Sequence, residues 1–183
     1  MARPTTLACG SLRAPKRLPL TTLALALGVL LLGCGPSGGG GAKGTGELAP
    51  EFELPRLEGG TVKLADLRGK TVLIDFWATW CAPCIVEIPE LNAFQAEHRA
   101  KGVEVLAISI DTLEDDALKE WVAEHDVQYA VARGDVALAE RYRAFEFPFH
   151  VLVSPTGEIL ERLSPGFHDR SELSAALAKY TGS

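Results

Sequence analysis

The chain of 183 residues carries 18 basic and 24 acidic side chains, and hydrophobic residues make up 47% of it. This is the composition of a folded globular domain rather than of a disordered or collagen-like chain. The formal net charge of −6 argues against nucleic acid and against anionic lipid headgroups as direct partners, because both are themselves negatively charged.

The first 33 residues resemble a secretion signal rather than part of a fold. Four basic residues and no acidic one precede the uncharged, leucine-rich run from Leu20 to Leu32. That run is shorter than the ~20 apolar residues that a membrane-spanning helix needs, but it suits the core of a signal peptide. The sequence therefore predicts a signal peptide over residues 1–33, with an uncleaved, marginal membrane anchor as the alternative.

The end of this run, Leu31 to Gly35, reads LLGCG and resembles the bacterial lipobox: two apolar residues, a small residue and a cysteine. The resemblance implies cleavage before Cys34 and attachment of lipid to its thiol and new amino terminus. A chance cysteine at the end of a plain signal peptide is the alternative. Several acyl chains hold a protein at a membrane far better than one chain does, so we expect a lipid-anchored protein of the bacterial cell envelope, on the extracytoplasmic side.

Cys34 and the glycine-rich residues that follow it, 34–46, have the composition of a flexible linker. They do not form a phosphate-binding loop. The only GKT sequence, Gly69 to Thr71, lacks the required glycine five residues earlier, where Leu64 stands.

The remaining residues, 47–183, have a normal size for one domain. The signal peptide takes four of the 18 basic residues and none of the 24 acidic ones, which leaves 14 against 24, a net charge of −10. Only two cysteines, Cys81 and Cys84, fall in this domain.

The spacing of Cys81 and Cys84 favours redox chemistry over a metal site or a structural disulfide. A structural zinc ion needs four ligands, and the sequence offers no second CxxC and no histidine pair at metal spacing. A disulfide that closes so small a loop removes little entropy from the unfolded chain. We therefore expect no metal and no cofactor beyond the two cysteines, and we expect each of the four histidines to be an ordinary packing or surface residue: His98, His125, His150 and His168.

The sequence around the cysteines predicts a strand followed by a helix. Thr71 to Trp77, TVLIDFW, is a nearly continuous apolar run, as in a central strand covered on both faces. A helix is expected from about Cys81 to about Ala100, with Pro83 in its first turn and Pro89 in its interior. A thiol at a helix N-terminus meets free N–H groups and the positive end of the helix dipole, which lower its pKa and favour the nucleophilic thiolate.

The rest of the chain alternates between strands and helices. Thr112 with Asp115 is expected to cap a second helix, Asp135 a short third one, and Asp169 with Glu172 the last one. The predicted strands that separate them or pair beside them are Val103–Ile110, Val127–Ala132, Pro148–Val153 and Glu158–Leu163. Such alternation predicts an α/β fold: a mostly parallel sheet covered on both faces, with an antiparallel hairpin at one edge.

The segment Val72 to Cys84, VLIDFWATWCAPC, resembles the thioredoxin superfamily, and within it the TlpA/ResA-like membrane-anchored thiol–disulfide oxidoreductases. The resemblance covers essentially the whole domain in element order. It includes the helix and strand, about Glu114 to Ala132, that this branch inserts into the thioredoxin unit, and the pattern CxxCxxExP from Cys81 to Pro89. The resemblance therefore implies a thioredoxin-like fold, a mixed central sheet flanked by helices on both faces.

The resemblance also assigns roles to single residues. Cys81 would attack a substrate disulfide, and Cys84 would resolve the mixed disulfide. Asp75 would lie behind Cys84 and exchange protons with it, and Glu87 is a second acid–base candidate. The alternatives are a structural Asp75 bonded to backbone and a Glu87 that only stabilises the helix dipole. Pro148, opposite the active site, is expected to follow a cis peptide bond, as its counterpart does in the family.

The sequence departs from the family at two places. Many members of this branch have Asn where Asp75 stands, whereas thioredoxin itself has Asp. The family usually reads Pro-Thr-Thr-Phe or similar at the proline facing the active site, whereas Phe149 and His150 follow Pro148 here. The second departure leaves the substrate preference open.

Three functions compete on this sequence. The first is an extracytoplasmic reductant of protein disulfides, and proteins of the resembling branch often reduce apocytochrome c before haem attachment. The second is a disulfide oxidant of the same fold, a folding catalyst. The third is a copper metallochaperone that uses both cysteines and His150, although such carriers usually show CxxxC.

A reductant would need an outside source of electrons, because no part of the sequence matches a nicotinamide or flavin site. The resemblance implies a membrane electron donor such as a DsbD/CcdA-type protein.

Overall fold

The computed structural model describes residues 43–181. The predicted signal peptide, the predicted lipid-anchor residue Cys34 and most of the predicted linker lie outside this part of the chain. Among the described residues, no helix is both long and apolar enough to cross a membrane.

The described chain forms seven strands and four α-helices. The strands are β1 (Glu53–Pro55), β2 (Thr61–Lys63), β3 (Thr71–Trp77), β4 (Val103–Ser109), β5 (Ala130–Arg133), β6 (Phe149–Val153) and β7 (Ile159–Arg162). The helices are α1 (Ala82–His98), α2 (Asp115–Glu124), α3 (Val136–Arg141) and α4 (Arg170–Thr181), and short 3-10 turns cover Leu64–Leu67 and Arg99–Lys101.

Five strands form one mixed sheet in the order β5-β4-β3-β6-β7. β3 runs parallel to β4, and β4 parallel to β5, whereas β6 is antiparallel to both β3 and β7. The predicted hairpin at one edge is confirmed, but half of the pairings are antiparallel, so the sheet is mixed rather than mostly parallel. This is the thioredoxin-like fold, with α2 and β5 as the inserted helix and strand.

Helices and loops cover the sheet on both faces, and β3 is buried along its whole length. Alternate β3 residues point to opposite faces, as a strand requires. Ile74 and Phe76 face a core shared with α3, whereas Leu73 and Trp77 face a core shared with α1, α4 and the two cysteines. The chemistry suggested by the sequence therefore belongs to the α1 face of the sheet.

Several predicted elements differ from those observed. β1, β2 and the 3-10 turn after them were not predicted, because three-residue strands carry too little periodicity to be recognised. The capping box at Thr112 was wrong: α2 begins after Glu114, and within residues 43–181 no side chain caps it. The other two caps are confirmed, since Asp135 accepts a hydrogen bond from the Leu138 N–H at 2.7 Å and Asp169 one from the Glu172 N–H at 2.9 Å.

Candidate active site

The two cysteines lie at the start of α1, just after the turn that follows β3, and they are joined by a disulfide bond. Cys81 is the residue immediately before α1, and its sulfur accepts a hydrogen bond from the Cys84 N–H at 3.3 Å. Pro83 occupies the first turn, where a missing N–H costs nothing. The helix terminus therefore directs its N–H groups toward the Cys81 sulfur, an arrangement that stabilises a thiolate there once the disulfide is reduced.

Exposure does not distinguish the two sulfurs in this disulfide form. Cys81 is 5% exposed and Cys84 is 4% exposed. The start of α1 is therefore buried at both cysteines. A difference in reactivity between the two thiols must therefore come from the helix terminus that Cys81 occupies.

The turn that leads into Cys81 is fixed by Asp111, a residue that the sequence analysis did not single out. Asp111 follows β4, and one of its carboxylate oxygens accepts hydrogen bonds from both the N–H and the hydroxyl of Thr79, each at 2.6 Å. Its other oxygen accepts the Leu113 N–H at 3.2 Å. Burial raises the pKa of Asp111, but the hydrogen bonds from Thr79 and Leu113 outweigh it and hold the pKa below its usual range.

A second loop flanks the disulfide and contains Pro148. The Phe147–Pro148 peptide bond is cis, which confirms the expectation for that proline, whereas the turn proline Pro155 follows a trans bond. The Phe147 ring meets the ring of Trp80 edge to face, with centroids 6.2 Å apart. Trp80 is 64% exposed, so an apolar surface adjoins the disulfide on the outside of the molecule.

Beneath this surface, the buried side of the site holds Asp75. Asp75 lies between Leu73 and Trp77 on β3, so its side chain points to the same face as theirs, the face covered by α1. It is 2% exposed. The antiparallel pairing of β3 with β6 sets Asp75 directly opposite His150, whose side chain shares that face.

Glu87 completes this buried group from the helix side. It lies three residues after Cys84, which puts both side chains on the same buried face of α1. Its carboxylate is fully buried and accepts a hydrogen bond from the His168 N–H at 2.6 Å. The other carboxylate oxygen lies 3.2 Å from His150 Nε2, and the same nitrogen lies 3.5 Å from an Asp75 oxygen.

Burial shifts the pKa values of all three side chains toward their uncharged forms. It raises the pKa of Asp75 to about 7, where neighbouring Glu87 adds to the shift and His150 opposes it. It raises the pKa of Glu87 to about 8, although the hydrogen bond from His168 opposes this. Burial also lowers the pKa of His150, so the short contacts of its ring with the two carboxyl groups are not ion pairs at neutral pH.

These pKa values suit proton transfer to and from a thiol. A carboxyl group with a pKa near 7 is populated in both forms at neutral pH, which is the condition for an efficient general acid or base. Asp75 and Glu87 are buried on the same side of the sheet as Cys84, so both are candidates to exchange protons with its thiol. The group Asp75, Glu87 and His150 also presents three potential metal-ligand atoms, all within 4.8 Å of one another.

The structure thus brings four predicted residues, Cys81, Cys84, Asp75 and Glu87, to one end of one sheet face, with Pro148 in the loop beside them. Their individual roles stay predictions. His150 was expected to be a packing residue or, in the copper alternative, a ligand beside the cysteines, and its contact with Asp75 and Glu87 was not predicted. Its position two residues after Pro148, on a strand that pairs with β3, was the signal that could have placed it against Asp75. The metal-ligand group contains no cysteine, so His150 turns toward carboxylates rather than completing the copper site considered from the sequence.

Comparisons with known proteins agree with this geometry. The AhpC/TSA family matches residues 45–162. The thiol–disulfide oxidoreductase ResA of Bacillus cereus is 34% identical over 138 residues, which cover 74% of this chain and 78% of the relative. The crystal structure of the thioredoxin domain of a thiol–disulfide oxidoreductase from Bacteroides vulgatus is 29% identical, covers 75% of this chain and 98% of its own, and superposes with a TM-score of 0.65. An exposed lipoprotein thioredoxin from Streptococcus pneumoniae is 25% identical, covers 71% and 99%, and gives a TM-score of 0.64.

Proposed function

Because the chain belongs to the AhpC/TSA family of the thioredoxin superfamily and is a thiol–disulfide oxidoreductase of the ResA type, we propose that it reduces protein disulfides on the extracytoplasmic side of a bacterial membrane. The observation that carries this proposal is the Cys81–Cys84 pair, set at a helix N-terminus on the same sheet face as two buried carboxyl groups.

The reaction follows from the positions of these groups. The Cys81 thiolate attacks one sulfur of a substrate disulfide, a new S–S bond forms, and the other substrate sulfur leaves as a thiolate. Cys84 then gives its proton to Asp75 and attacks the Cys81 sulfur. The Cys81–Cys84 disulfide closes, the second substrate sulfur is released, and two electrons have passed to the substrate.

Glu87 and Pro148 support this reaction from either side of the disulfide. Glu87, coupled to Asp75 through the shared contact with His150, passes the proton on. Pro148 and the adjoining aromatic surface at Trp80 and Phe147 receive an extended segment of the substrate protein. The substrate proposed is a protein disulfide, with apocytochrome c during cytochrome c maturation as the specific candidate.

Reduction in this direction requires electrons from outside the chain. We assign that role to a membrane electron donor of the DsbD/CcdA type, which would return the Cys81–Cys84 disulfide to two thiols after each cycle.

Location outside the cytoplasm is proposed from Leu31–Cys34 and supported by the lipoprotein among the similar structures. Lipid on Cys34 would tether the domain to the membrane through residues 35–44. Metabolic labelling with a radioactive fatty acid tests this proposal: label should enter the wild-type chain and be absent from Cys34→Ala. An unlabelled wild type contradicts the lipid anchor.

A trapping experiment tests the function. Resolution requires Cys84, so Cys84→Ala should leave Cys81 in a mixed disulfide with its substrate, which survives a non-reducing gel and can be identified by mass spectrometry. Cys81→Ala is the matched control and should trap nothing. A reductant for cytochrome maturation should trap an apocytochrome bearing a CxxCH pair, and a broader reductant many secreted cysteine proteins.

The redox state of the wild-type protein in cells shows the direction of electron flow. The wild-type protein should be found mainly in the dithiol form. A trapped set of folding intermediates, together with a fully oxidised wild type in cells whose electron supply is intact, would overturn the reductant proposal and favour the oxidant.

A further inference from the structure

The contacts beneath the disulfide point to a second binding site, and we propose that Asp75, Glu87 and His150 bind a divalent cation of the zinc class. These residues come from three separate elements, β3, α1 and β6, and their ligand atoms converge. The proposal goes beyond thiol chemistry, because neither cysteine is one of the ligands.

The first observation is the spacing of the ligand atoms. His150 Nε2 lies 3.2 Å from Glu87 Oε2 and 3.5 Å from Asp75 Oδ1. Zinc binds imidazole nitrogen and carboxylate oxygen at about 2.0–2.2 Å, so neighbouring ligands of a tetrahedral ion are about 3.3–3.5 Å apart. The two measured separations fit adjacent corners of such a site.

The second observation is independent of spacing. Asp75 Oδ1, Glu87 Oε2 and His150 Nε2 have no hydrogen-bond partner among the described residues, although all three are buried. Buried polar atoms without partners cost on the order of 1–3 kcal/mol each, and they are rare. Among the six such atoms in the described residues, these three are the ones that converge, so one ion would satisfy all three, whereas His150 Nδ1, Trp77 Nε1 and His98 Nδ1 lie outside the ligand set.

The charges and donor atoms of the three side chains determine which ion would bind. When the ion binds, the two carboxyl groups release their protons, and two carboxylates with a neutral imidazole then carry a charge of −2, which a divalent cation cancels. One nitrogen and two oxygen donors suit zinc and the divalent ions that resemble it, whereas Cu(I) prefers sulfur. Three protein ligands leave a fourth position open.

The loop between β7 and α4 contacts the site through Glu87. The His168 N–H of this loop bonds to the second Glu87 oxygen, and that bond orients the carboxylate from outside the ligand set. The neighbouring loop residues Ser164, Pro165 and Phe167 are exposed.

Titration of the full-length, disulfide-form protein with Co²⁺ as the probe tests the proposal. We expect one equivalent to bind with the visible d–d absorption of a tetrahedral or five-coordinate ion, without a thiolate-to-cobalt charge-transfer band, and Zn²⁺ to displace it. Glu87→Gln and Asp75→Asn keep the shape of the side chains and should each weaken binding about tenfold or more. His125→Ala, a histidine outside the site, should bind as the wild type does.

Three results would overturn the proposal: no bound Co²⁺ in the wild type, equal affinity in wild type and Glu87→Gln, or a charge-transfer band that places the ion on sulfur. Circular dichroism of each variant verifies that a lost site is not a lost fold. Disulfide reductase activity of the same preparations is measured separately, so failure of the cation site leaves the proposed function untouched.

Discussion

At the residue scale, the buried acids Asp75 and Glu87 destabilise the fold when they ionise. Burial raises the pKa of Asp75 to about 7 and that of Glu87 to about 8, well above the ordinary values of 3.8 and 4.5. A group whose folded pKa is raised contributes stability that is complete below its unfolded pKa and is lost as pH rises through the folded pKa. The loss therefore falls between about pH 4 and pH 8.

Neutral replacements should remove this pH dependence. Each pKa unit corresponds to about 1.36 kcal/mol, so Asp75→Asn or Glu87→Gln should raise the free energy of unfolding at pH 8 by about 1–4 kcal/mol and flatten its decline with pH. The groups that face the pair are His150 on β6, His168 on the neighbouring loop, and Glu90 and Glu172 on the two helices. Urea unfolding from pH 4 to pH 8, with EDTA present, measures the effect.

An exposed acid provides the control for this measurement. Glu120→Gln on α2 removes one carboxylate at the surface and should leave both the stability at pH 8 and the slope unchanged. If Asp75→Asn is less stable than the wild type at pH 8, the carboxylate is held in its charged form by a partner, and the assignment of burial as the dominant cause is wrong.

The contribution of Asp111 to the free energy of unfolding should depend on pH in the opposite direction. Hydrogen bonds from Thr79 and Leu113 hold its pKa below the usual range, so its contribution to stability is present above the unfolded pKa and is lost as pH falls through the folded one. Asp111→Asn should cost about 1–3 kcal/mol at pH 7, and the gap to the wild type should close as the pH falls below the ordinary pKa of 3.8 and through the lowered folded one. Thr79→Val, which removes only the hydroxyl bond, should cost less at pH 7.

Urea unfolding at pH 7 and in acid measures this prediction. A gap between Asp111→Asn and the wild type that persists in acid would mean that the side chain acts through its shape rather than through its charge.

The sequence located the cysteines, Asp75, Glu87 and Pro148 because each lies inside a compact motif or beside it. His150 could not be placed in the same way. It is 75 positions from Asp75 in the sequence, and only the register of β3 against β6 sets the two side by side. Asp111 was missed for a related reason, since its partner Thr79 lies on another loop at the end of a different strand.

At the element scale, the N-termini of α3 and α2 can be compared directly, because a side chain caps the first and, among the described residues, none caps the second. Asp135 accepts the Leu138 N–H at the start of α3, whereas Thr112, two residues before the residue that precedes α2, caps nothing in the described structure. Asp135→Ala should therefore lower the free energy of unfolding by about 0.5–2 kcal/mol, and Thr112→Ala should leave it nearly unchanged. Equal losses in urea unfolding would contradict this assignment.

The reason for the wrong cap at Thr112 is local competition. The pattern Thr-x-x-Asp, from Thr112 to Asp115, satisfies the capping rule. However, the Asp111 carboxylate already accepts a hydrogen bond from the Leu113 N–H, and this bond holds Thr112 and Leu113 in a turn before the helix. α2 then starts at Asp115, three residues after Thr112, so Asp115 and Asp116 lie in its first turn rather than at its cap. Sequence patterns define the helix here, and a neighbouring loop contact sets where it begins.

At the scale of the whole molecule, the alternation of strands and helices was enough to predict the fold class and the hairpin at the edge. It was not enough to predict how the edge strand β7 is covered. Backbone hydrogen bonds from Thr45 and Ala49 reach Ile159 and Gly157, each at 2.9 Å, and the Ile159 N–H bonds to Glu47 at 2.8 Å. The segment from Thr45 to Pro50 therefore runs along the open edge of β7.

Further contacts fasten this segment, which begins within the predicted linker. The Glu47 carboxylate binds the Arg162 guanidinium through two hydrogen bonds of 2.9 and 3.1 Å. The Tyr142 hydroxyl donates to the Pro50 carbonyl at 2.6 Å. Both partners lie in the folded body of the domain, so the segment belongs to the fold and not to the tether.

Truncation at two positions should separate the tether from the fold. A chain that begins at Lys43 keeps every contact of the segment, whereas one that begins at Glu51 loses them and leaves β7 as a bare edge. At about 0.5–1.5 kcal/mol for each hydrogen bond, the shorter chain should lose on the order of 2–5 kcal/mol in urea unfolding. It should also self-associate in sedimentation velocity, because an uncovered strand edge pairs readily with another. Matching stabilities and purely monomeric behaviour of the two chains would show instead that β7 needs no cover, and that the domain begins at β1.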